Sequence, residues 1–156
     1  MGTILVVEDY DDIRRMLKVL LESEEFRVVE AASGSEALEA VKEHRPDVIL
    51  MDLALPGFDG FEAIRRIRAI DGFQNTPIIV LTAYTAPSTY ETALSAGGDY
   101  FMAKPIDFDE LARLLKKILH GENPRSAKPA RAPSQRATFR TRPPAPRAGH
   151  EMTWSV

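Results

Sequence analysis

The feature that most constrains the fold is a strict alternation of five short apolar runs with five segments of helical periodicity. The clearest run is Val48–Met51, which ends abruptly in Asp52 and is soon followed by the turn-forming pair Pro56-Gly57. An apolar run without alternation is typical of a strand that is buried on both faces of a parallel sheet. The alternation predicts an α/β domain in which helices cover both faces of a five-stranded parallel sheet.

The predicted strands are short and lie between residue 3 and residue 103. They are Thr3–Val7, Phe26–Ala31, Val48–Met51, Pro77–Leu81 and Tyr100–Ala103. Helices fill the intervals, and a last helix runs from Asp107 to the stop signal at Gly121. Such short connections predict a doubly wound sheet with right-handed crossovers.

Helix caps and faces can also be assigned from the sequence. Ser33 and Asp107 stand three residues before a glutamate, which is the spacing of a capping box, and Asp11 or Asp12 is expected to cap the first helix. Met16 is expected to lie in the core. The third helix is expected to turn three arginines to solvent: Arg65, Arg66 and Arg68.

Composition excludes several classes of site. The chain of 156 residues suits one ordinary domain, and it has no cysteine, which excludes disulfides, thiolate metal sites and cysteine nucleophiles. No apolar run approaches the ~20 residues needed to cross a bilayer. No leader-like segment follows Met1, so we expect a cytoplasmic protein that does not bind membranes.

Charge and proline divide the chain in two. Residues 1–120 carry 21 acidic and 13 basic side chains, a net charge of −8, whereas residues 121–156 carry 2 and 7, a net charge of +5. Six of the eleven prolines also lie in 122–156. This predicts a folded domain at 1–121 and a disordered basic tail at 122–156. The tail is either a flexible extension or a basic arm for an acidic partner, with nucleic-acid binding at most weak because no DNA-binding motif is present.

Polar side chains follow four of the predicted strands. Glu8-Asp9 follows the first strand, Asp52 the third, Thr82 the fourth and Lys104 the fifth. Because parallel strands point the same way, these groups should meet at one edge of the sheet, where open α/β sheets bind ligands. Each motif alone is more often a turn or a cap, and the combination at successive strand ends favours a site.

The chemistry of this set predicts phosphoryl transfer. Carboxylate oxygens without nearby histidine or cysteine favour a hard cation, and Mg²⁺ is the one expected. A lysine and a hydroxyl placed opposite can bind phosphoryl oxygens. An aspartate can itself be the nucleophile, and Asp52, which ends the central strand, is the predicted attacked group.

This combination of motifs resembles the receiver domain of two-component response regulators. The resemblance covers residues 3–120 and implies a flavodoxin-like fold with strand order 2-1-3-4-5. It implies a signalling switch that is phosphorylated by a histidine kinase or a histidine phosphotransfer protein. Such a switch is not an enzyme beyond its own phosphotransfer and slow autodephosphorylation, and it signals to a protein target through its fourth helix, fifth strand and fifth helix.

The resemblance also assigns roles to individual residues. Asp52 corresponds to the phosphoacceptor, and four groups correspond to the metal ligands: Glu8, Asp9, Asp52 and the backbone carbonyl of Ala54. Lys104 corresponds to the lysine that pairs with the phosphoryl group, and the bond before Pro105 is expected to be cis. The switch residues are Thr82 and Phe101.

Two other functions stay open at this point. One is a phosphatase similar to the haloacid dehalogenase-like hydrolases, which need a general-acid aspartate two residues after the nucleophile, where this chain has Ala54. The other is a pseudo-receiver that binds a partner without phosphorylation. The resemblance implies that Ala54 and Tyr84 occupy positions that tune dephosphorylation, so the lifetime of the phosphoryl group is not predicted.

Overall fold

The computed structural model describes residues 2–83, 86–121 and 139–140. Strands and helices alternate through the folded part, as the sequence predicted. The strands are β1 (Thr3–Val7), β2 (Arg27–Ala31), β3 (Val48–Asp52), β4 (Ile78–Thr82), β5 (Tyr100–Ala103) and β6 (Phe139–Arg140). The helices of the described part are α1 (Asp11–Ser23), α2 (Gly34–His44), α3 (Gly60–Arg68), α4 (Pro87–Ala96) and α5 (Phe108–Leu119).

Within the described residues the sheet has six strands in the order β2-β1-β3-β4-β5-β6. β1 to β5 are parallel, which confirms the predicted five-stranded sheet and its order. β6 pairs with β5 in the antiparallel direction and was not predicted. It falls within the tail predicted to be disordered, and the rest of 122–156 lies outside the described residues.

Two apolar layers enclose the sheet, one on each face. Alternate residues of β1 enter opposite layers, so that Leu5 packs in the layer under α2, α3 and α4, while Ile4 packs in the layer under α1 and α5. β3 and β4 are buried throughout. A strand buried on both faces explains the unbroken apolar runs in the sequence.

Side-chain caps begin three of the helices. The caps and the glutamates whose backbone N–H they accept are Ser33 with Glu36, Asp59 with Glu62, and Asp107 with Glu110. The predicted cap of α1 was wrong: its N-cap is Tyr10, without a side-chain hydrogen bond, and Asp11 and Asp12 lie in the first turn. Carboxylates in a first turn still stabilise a helix, because the N-terminal end of its dipole is positive.

Two predicted side-chain positions were also wrong. Met16 is 52% exposed, because it lies about 100° around α1 from the buried Leu17. Arg68 was predicted to face solvent, but its side chain is only 12% exposed and pairs with Asp99 at 2.8 Å. Arg68 also donates hydrogen bonds to the carbonyls of Phe73, Thr76 and Gly97, so it ties the end of α3 to the segments before β4 and β5.

No helix in the described ranges combines the length and the apolar character that membrane crossing requires.

Candidate functional site

The predicted strand-end residues meet at one edge of the sheet. β3 lies between β1 and β4, so its last residue, Asp52, stands at the middle of that edge. Glu8 is 0% exposed, Asp52 3% and Thr82 1%, whereas Asp9 is exposed. Three polar side chains with so little exposure are uncommon in a core, which indicates a functional site rather than a solvated turn.

Three carboxylates form the centre of this site. One oxygen from each of Glu8, Asp9 and Asp52 lies within 4.8 Å of the other two. Like charges this close repel one another unless a cation compensates. The donor set consists of carboxylate oxygens, two of them on buried side chains, and it therefore fits a hard divalent cation such as Mg²⁺.

Lys104 supplies a protein cation to the same cluster. Its Nζ lies 3.2 Å from Oε1 of Glu8 and 3.3 Å from Oδ1 of Asp52. The backbone N–H of Lys104 donates to the carbonyl of Thr82 at 2.9 Å, and the Lys104–Pro105 peptide bond is cis. The side chain of Lys104 therefore reaches the acids from a backbone that is tied to β4.

The cluster shifts the pKa values of two of its members. Burial raises the pKa of Glu8, and the nearby charge of Asp52 adds to this, against the opposing effects of the Tyr10 N–H and of Lys104. For Lys104, burial acts to lower the pKa, but the charges of Asp52 and Glu8 outweigh it and raise the pKa. Lys104 is thus held as an ammonium ion beside the acids at neutral pH.

The loop after β3 holds Asp52 in place. The N–H of Ala54 donates to Oδ1 of Asp52 at 3.2 Å, and the N–H of Gly60 donates to the carbonyl of Leu53 at 3.1 Å. Ala54 is exposed. A Cβ at residue 60 would lie 2.5 Å from the carbonyl oxygen of Asp52, so only glycine allows the start of α3 to approach β3 this closely.

This close approach gives a stability prediction for Gly60→Ala. We expect the variant to lose about 2–3 kcal/mol of unfolding free energy in a urea titration, because the added methyl group must displace backbone. Gly57→Ala is the matched control in the same loop: it has a φ of +76° but open space at Cβ, so its cost should be near 1 kcal/mol. Equal losses in the two variants would contradict the steric argument.

Arg14 supports the acid pair, and sequence reasoning missed this role. Its Nη1 donates to the backbone carbonyl of Glu8 at 2.8 Å, while its other nitrogens pair with Asp11 at 2.7 Å and Glu30 at 3.1 Å. The available signal was an arginine at the fourth residue of the helix that follows the acid pair.

The two predicted switch residues lie at neighbouring strand positions. Thr82 ends β4 and is paired in register with Ala103 of β5. Phe101 is 1% exposed, and its ring meets that of Tyr90 on α4 edge-to-face, with centroids 5.7 Å apart. Tyr84 lies outside the described residues.

Comparison with known proteins now decides the family. The family model for the response regulator receiver domain matches residues 4–116. The chain belongs to this family. Receiver domains are phosphoacceptor signalling switches of two-component systems; they bind magnesium and interact with histidine kinases.

Curated relatives of this receiver domain differ in how much of their length the chain covers. Sporulation initiation phosphotransferase F of Bacillus subtilis is 36% identical over 116 residues, which cover 74% of this chain and 92% of that protein. The transcriptional regulatory protein AfsQ1 of Streptomyces coelicolor is 40% identical over 119 residues, which cover 76% of this chain and 52% of AfsQ1. The chain thus spans about half the length of AfsQ1.

A solved structure supports both the fold and the metal class. The receiver domain of the sensor histidine kinase PA1611 from Pseudomonas aeruginosa is 37% identical, with a TM-score of 0.72, and the match covers 77% of this chain and 98% of that chain. That domain was crystallised with a magnesium ion coordinated in its active-site cleft. The present receiver domain offers three carboxylates, those of Glu8, Asp9 and Asp52, that could hold such an ion.

Proposed function

We propose that this receiver domain is a response regulator that accepts a phosphoryl group on Asp52 from a histidine kinase or a histidine phosphotransfer protein. The observation that carries the proposal is the position of Asp52: a buried carboxylate at the central strand end, 3.3 Å from the Lys104 ammonium and within the three-acid cluster. This arrangement pairs a nucleophile with positive charge where phosphoryl oxygens would lie.

The transfer forms one bond and breaks one. A carboxylate oxygen of Asp52 attacks the phosphorus of the donor, a P–O bond forms, the P–N bond to the donor imidazole breaks, and the released imidazole nitrogen takes a proton from solvent. Lys104 offers its ammonium to the phosphoryl oxygens, and the Thr82 hydroxyl offers a hydrogen bond. Glu8, Asp9, Asp52 and the backbone carbonyl of Ala54 would hold Mg²⁺, which when bound neutralises the charge of the acids and of the phosphoryl group.

The residue at position 54 argues against the phosphatase alternative. Ala54 has no acidic side chain and cannot protonate the leaving group of a phosphate ester two residues after the nucleophile. We propose a switch that is not an enzyme beyond its own phosphotransfer and slow autodephosphorylation. Ala54 and Tyr84 would set the lifetime of the phosphoryl group.

The proposed output passes through the neighbouring strand and helix. A phosphoryl group on Asp52 would attract Thr82 and Lys104, at the ends of β4 and β5, and bias the packing of Phe101 against Tyr90. The readout surface would be α4, β5 and α5, recognised by a downstream protein.

In this proposal residues 1–121 are the receiver unit of a cytoplasmic protein, and 122–156 are a basic tail whose binding to nucleic acid is at most weak.

Magnesium binding is predicted to weaken as the pH falls. Because the pKa of Glu8 is raised, the folded protein takes up a proton there at a higher pH than an ordinary glutamate would, and this proton competes with the cation. In calorimetric titrations with MgCl₂ at stepwise lower pH, the affinity for Mg²⁺ should begin to fall at a pH above the ordinary pKa of a glutamate. Glu8→Gln should bind more weakly with a flatter profile; identical slopes in the two proteins would contradict the role of Glu8.

A small phosphodonor tests the proposed function. After incubation with acetyl phosphate and Mg²⁺, intact mass should show one added phosphoryl group on the wild type and none on Asp52→Asn. Asp71→Asn, which changes an exposed aspartate beyond the end of α3, should behave as the wild type. No adduct on the wild type would favour the pseudo-receiver, and an equal adduct on Asp52→Asn would overturn the assignment of the phosphoacceptor.

A further inference from the structure

The outer edge of the parallel sheet is occupied by the chain itself. β5 would be the last strand of that sheet, and an edge strand presents unpaired backbone N–H and C=O groups. β6 lies along this edge, with Arg140 opposite Phe101 and Phe139 opposite Met102. The position of β6 follows from neither the strand–helix alternation nor the phosphoacceptor site, and it places a segment of the basic tail on the sheet.

The backbone directions of β5 identify the residue pair that exchanges hydrogen bonds. The N–H of Lys104 points to β4, where it donates to the Thr82 carbonyl at 2.9 Å. Because successive residues of a strand present their backbone groups to opposite sides, those of Met102 also face β4 and those of Phe101 face the outer edge. Phe101 and Arg140 are therefore the hydrogen-bonded pair of the β5–β6 ladder.

Chain length and charge allow this pairing within one molecule. The 17 residues of 122–138 join the end of the folded domain to β6, and an extended segment of that length spans roughly 60 Å. The folded part has a net charge of −8 and the tail a net charge of +5, so the tail is attracted to its own domain.

We propose that the edge of β5 is a strand-addition site whose occupant is this chain's own segment Phe139–Arg140. The segment binds through its backbone, in the manner of a peptide that adds a strand to an exposed sheet edge. It covers the outward backbone groups of Phe101, so a partner that adds a strand to β5 must first displace it. The covered edge belongs to β5, which is part of the readout surface in the proposed function, but its occupancy needs no phosphoryl group and can be tested without one.

Hydrogen exchange on the full-length chain tests the proposal. In Arg140→Pro the residue opposite Phe101 has no N–H, and the Phe101 amide should exchange about tenfold faster than in the wild type once the hydrogen-bonded pair is lost. Arg147→Pro makes the same substitution, with the same loss of charge, outside β6 and should leave exchange at Phe101 unchanged. Arg140→Ala removes the charge but keeps the N–H and should retain most of the protection.

Three results would overturn the proposal. Unchanged exchange at Phe101 in Arg140→Pro would show that β6 does not cover the edge. Equal loss of protection in Arg140→Ala would show that charge, rather than strand pairing, holds the segment. Loss of wild-type protection on dilution would show that the added strand comes from a second copy of the chain.

Discussion

Replacing Lys104 by glutamine is expected to lower the free energy of unfolding by about 2 kcal/mol at neutral pH without divalent cations. Lys104 is the cation that contacts Glu8 and Asp52, at 3.2 and 3.3 Å, and its loss leaves two buried carboxylates without compensation. The expected cost is below that of a fully buried pair because the Lys104 side chain is 22% exposed. Added Mg²⁺ should recover part of the loss, since a bound cation supplies the missing positive charge.

The pH dependence of this loss has a definite sign. The pKa of Lys104 is raised in the folded protein, so its contribution to stability is present below the ordinary lysine pKa and is lost as the pH rises through the folded value. At the acid end, Glu8 with its raised pKa takes up a proton early, and the difference between wild type and Lys104→Gln should shrink there. Urea unfolding at several pH values measures both trends.

A surface lysine provides the control for this prediction. Lys116 pairs with Glu24 at 2.6 Å, but its side chain is 50% exposed, so Lys116→Gln should change stability by no more than about 0.5 kcal/mol. If Lys104→Gln and Lys116→Gln lower the free energy of unfolding equally, Lys104 does not compensate the charges of Glu8 and Asp52 as its distances to them indicate.

Asp52→Asn is expected to act in the opposite direction. Without divalent cations it should raise the free energy of unfolding by about 1 kcal/mol, because it removes one of three clustered negative charges while Lys104 still pairs with Glu8. An asparagine carbonyl can still accept the hydrogen bond that the Ala54 N–H donates to Asp52. Mg²⁺ should stabilise the variant much less than the wild type, since one ligand has lost its charge.

Thermal unfolding with and without MgCl₂ measures both parts of this second prediction. Asp71→Asn, at an exposed position, should match the wild type in both conditions. A metal-free Asp52→Asn protein that is less stable than the wild type would show that repulsion among the acids is outweighed by the contacts that the Asp52 carboxylate makes. A full response to Mg²⁺ would show that Asp52 is not a ligand.

The strands, the helix caps and the position of Asp52 could be predicted because their signals are local, whereas the strand order was implied by the family resemblance. Val48–Met51 is apolar throughout because β3 is buried on both faces, and Asp52 ends it at the edge where the other strand ends also lie. The caps Ser33 and Asp107 depend on a glutamate three residues away. In each case neighbours within the same segment carry the information.

Three of the wrong or missed features depend on contacts outside their own helix or strand. The Arg68 side chain is largely covered because carbonyls from three later residues converge on its guanidinium, which helix periodicity cannot indicate. Arg14 contacts the site through the backbone carbonyl of Glu8, and the signal for this contact was only its position at the start of the helix that follows the acid pair. β6 is a strand because it pairs with the edge of β5. The proline- and arginine-rich sequence around β6 gives no signal of this pairing.

The measurement that tests the central claim most directly is the location of the phosphoryl group. The protein is phosphorylated with acetyl phosphate and Mg²⁺, treated with borohydride to reduce the acyl phosphate to a stable alcohol, digested and sequenced by mass spectrometry. The site geometry predicts conversion of aspartate to homoserine at Asp52, with Asp9 unmodified. Modification of Asp9 instead, or of an exposed aspartate such as Asp71, would contradict the assignment of Asp52 as the phosphoacceptor.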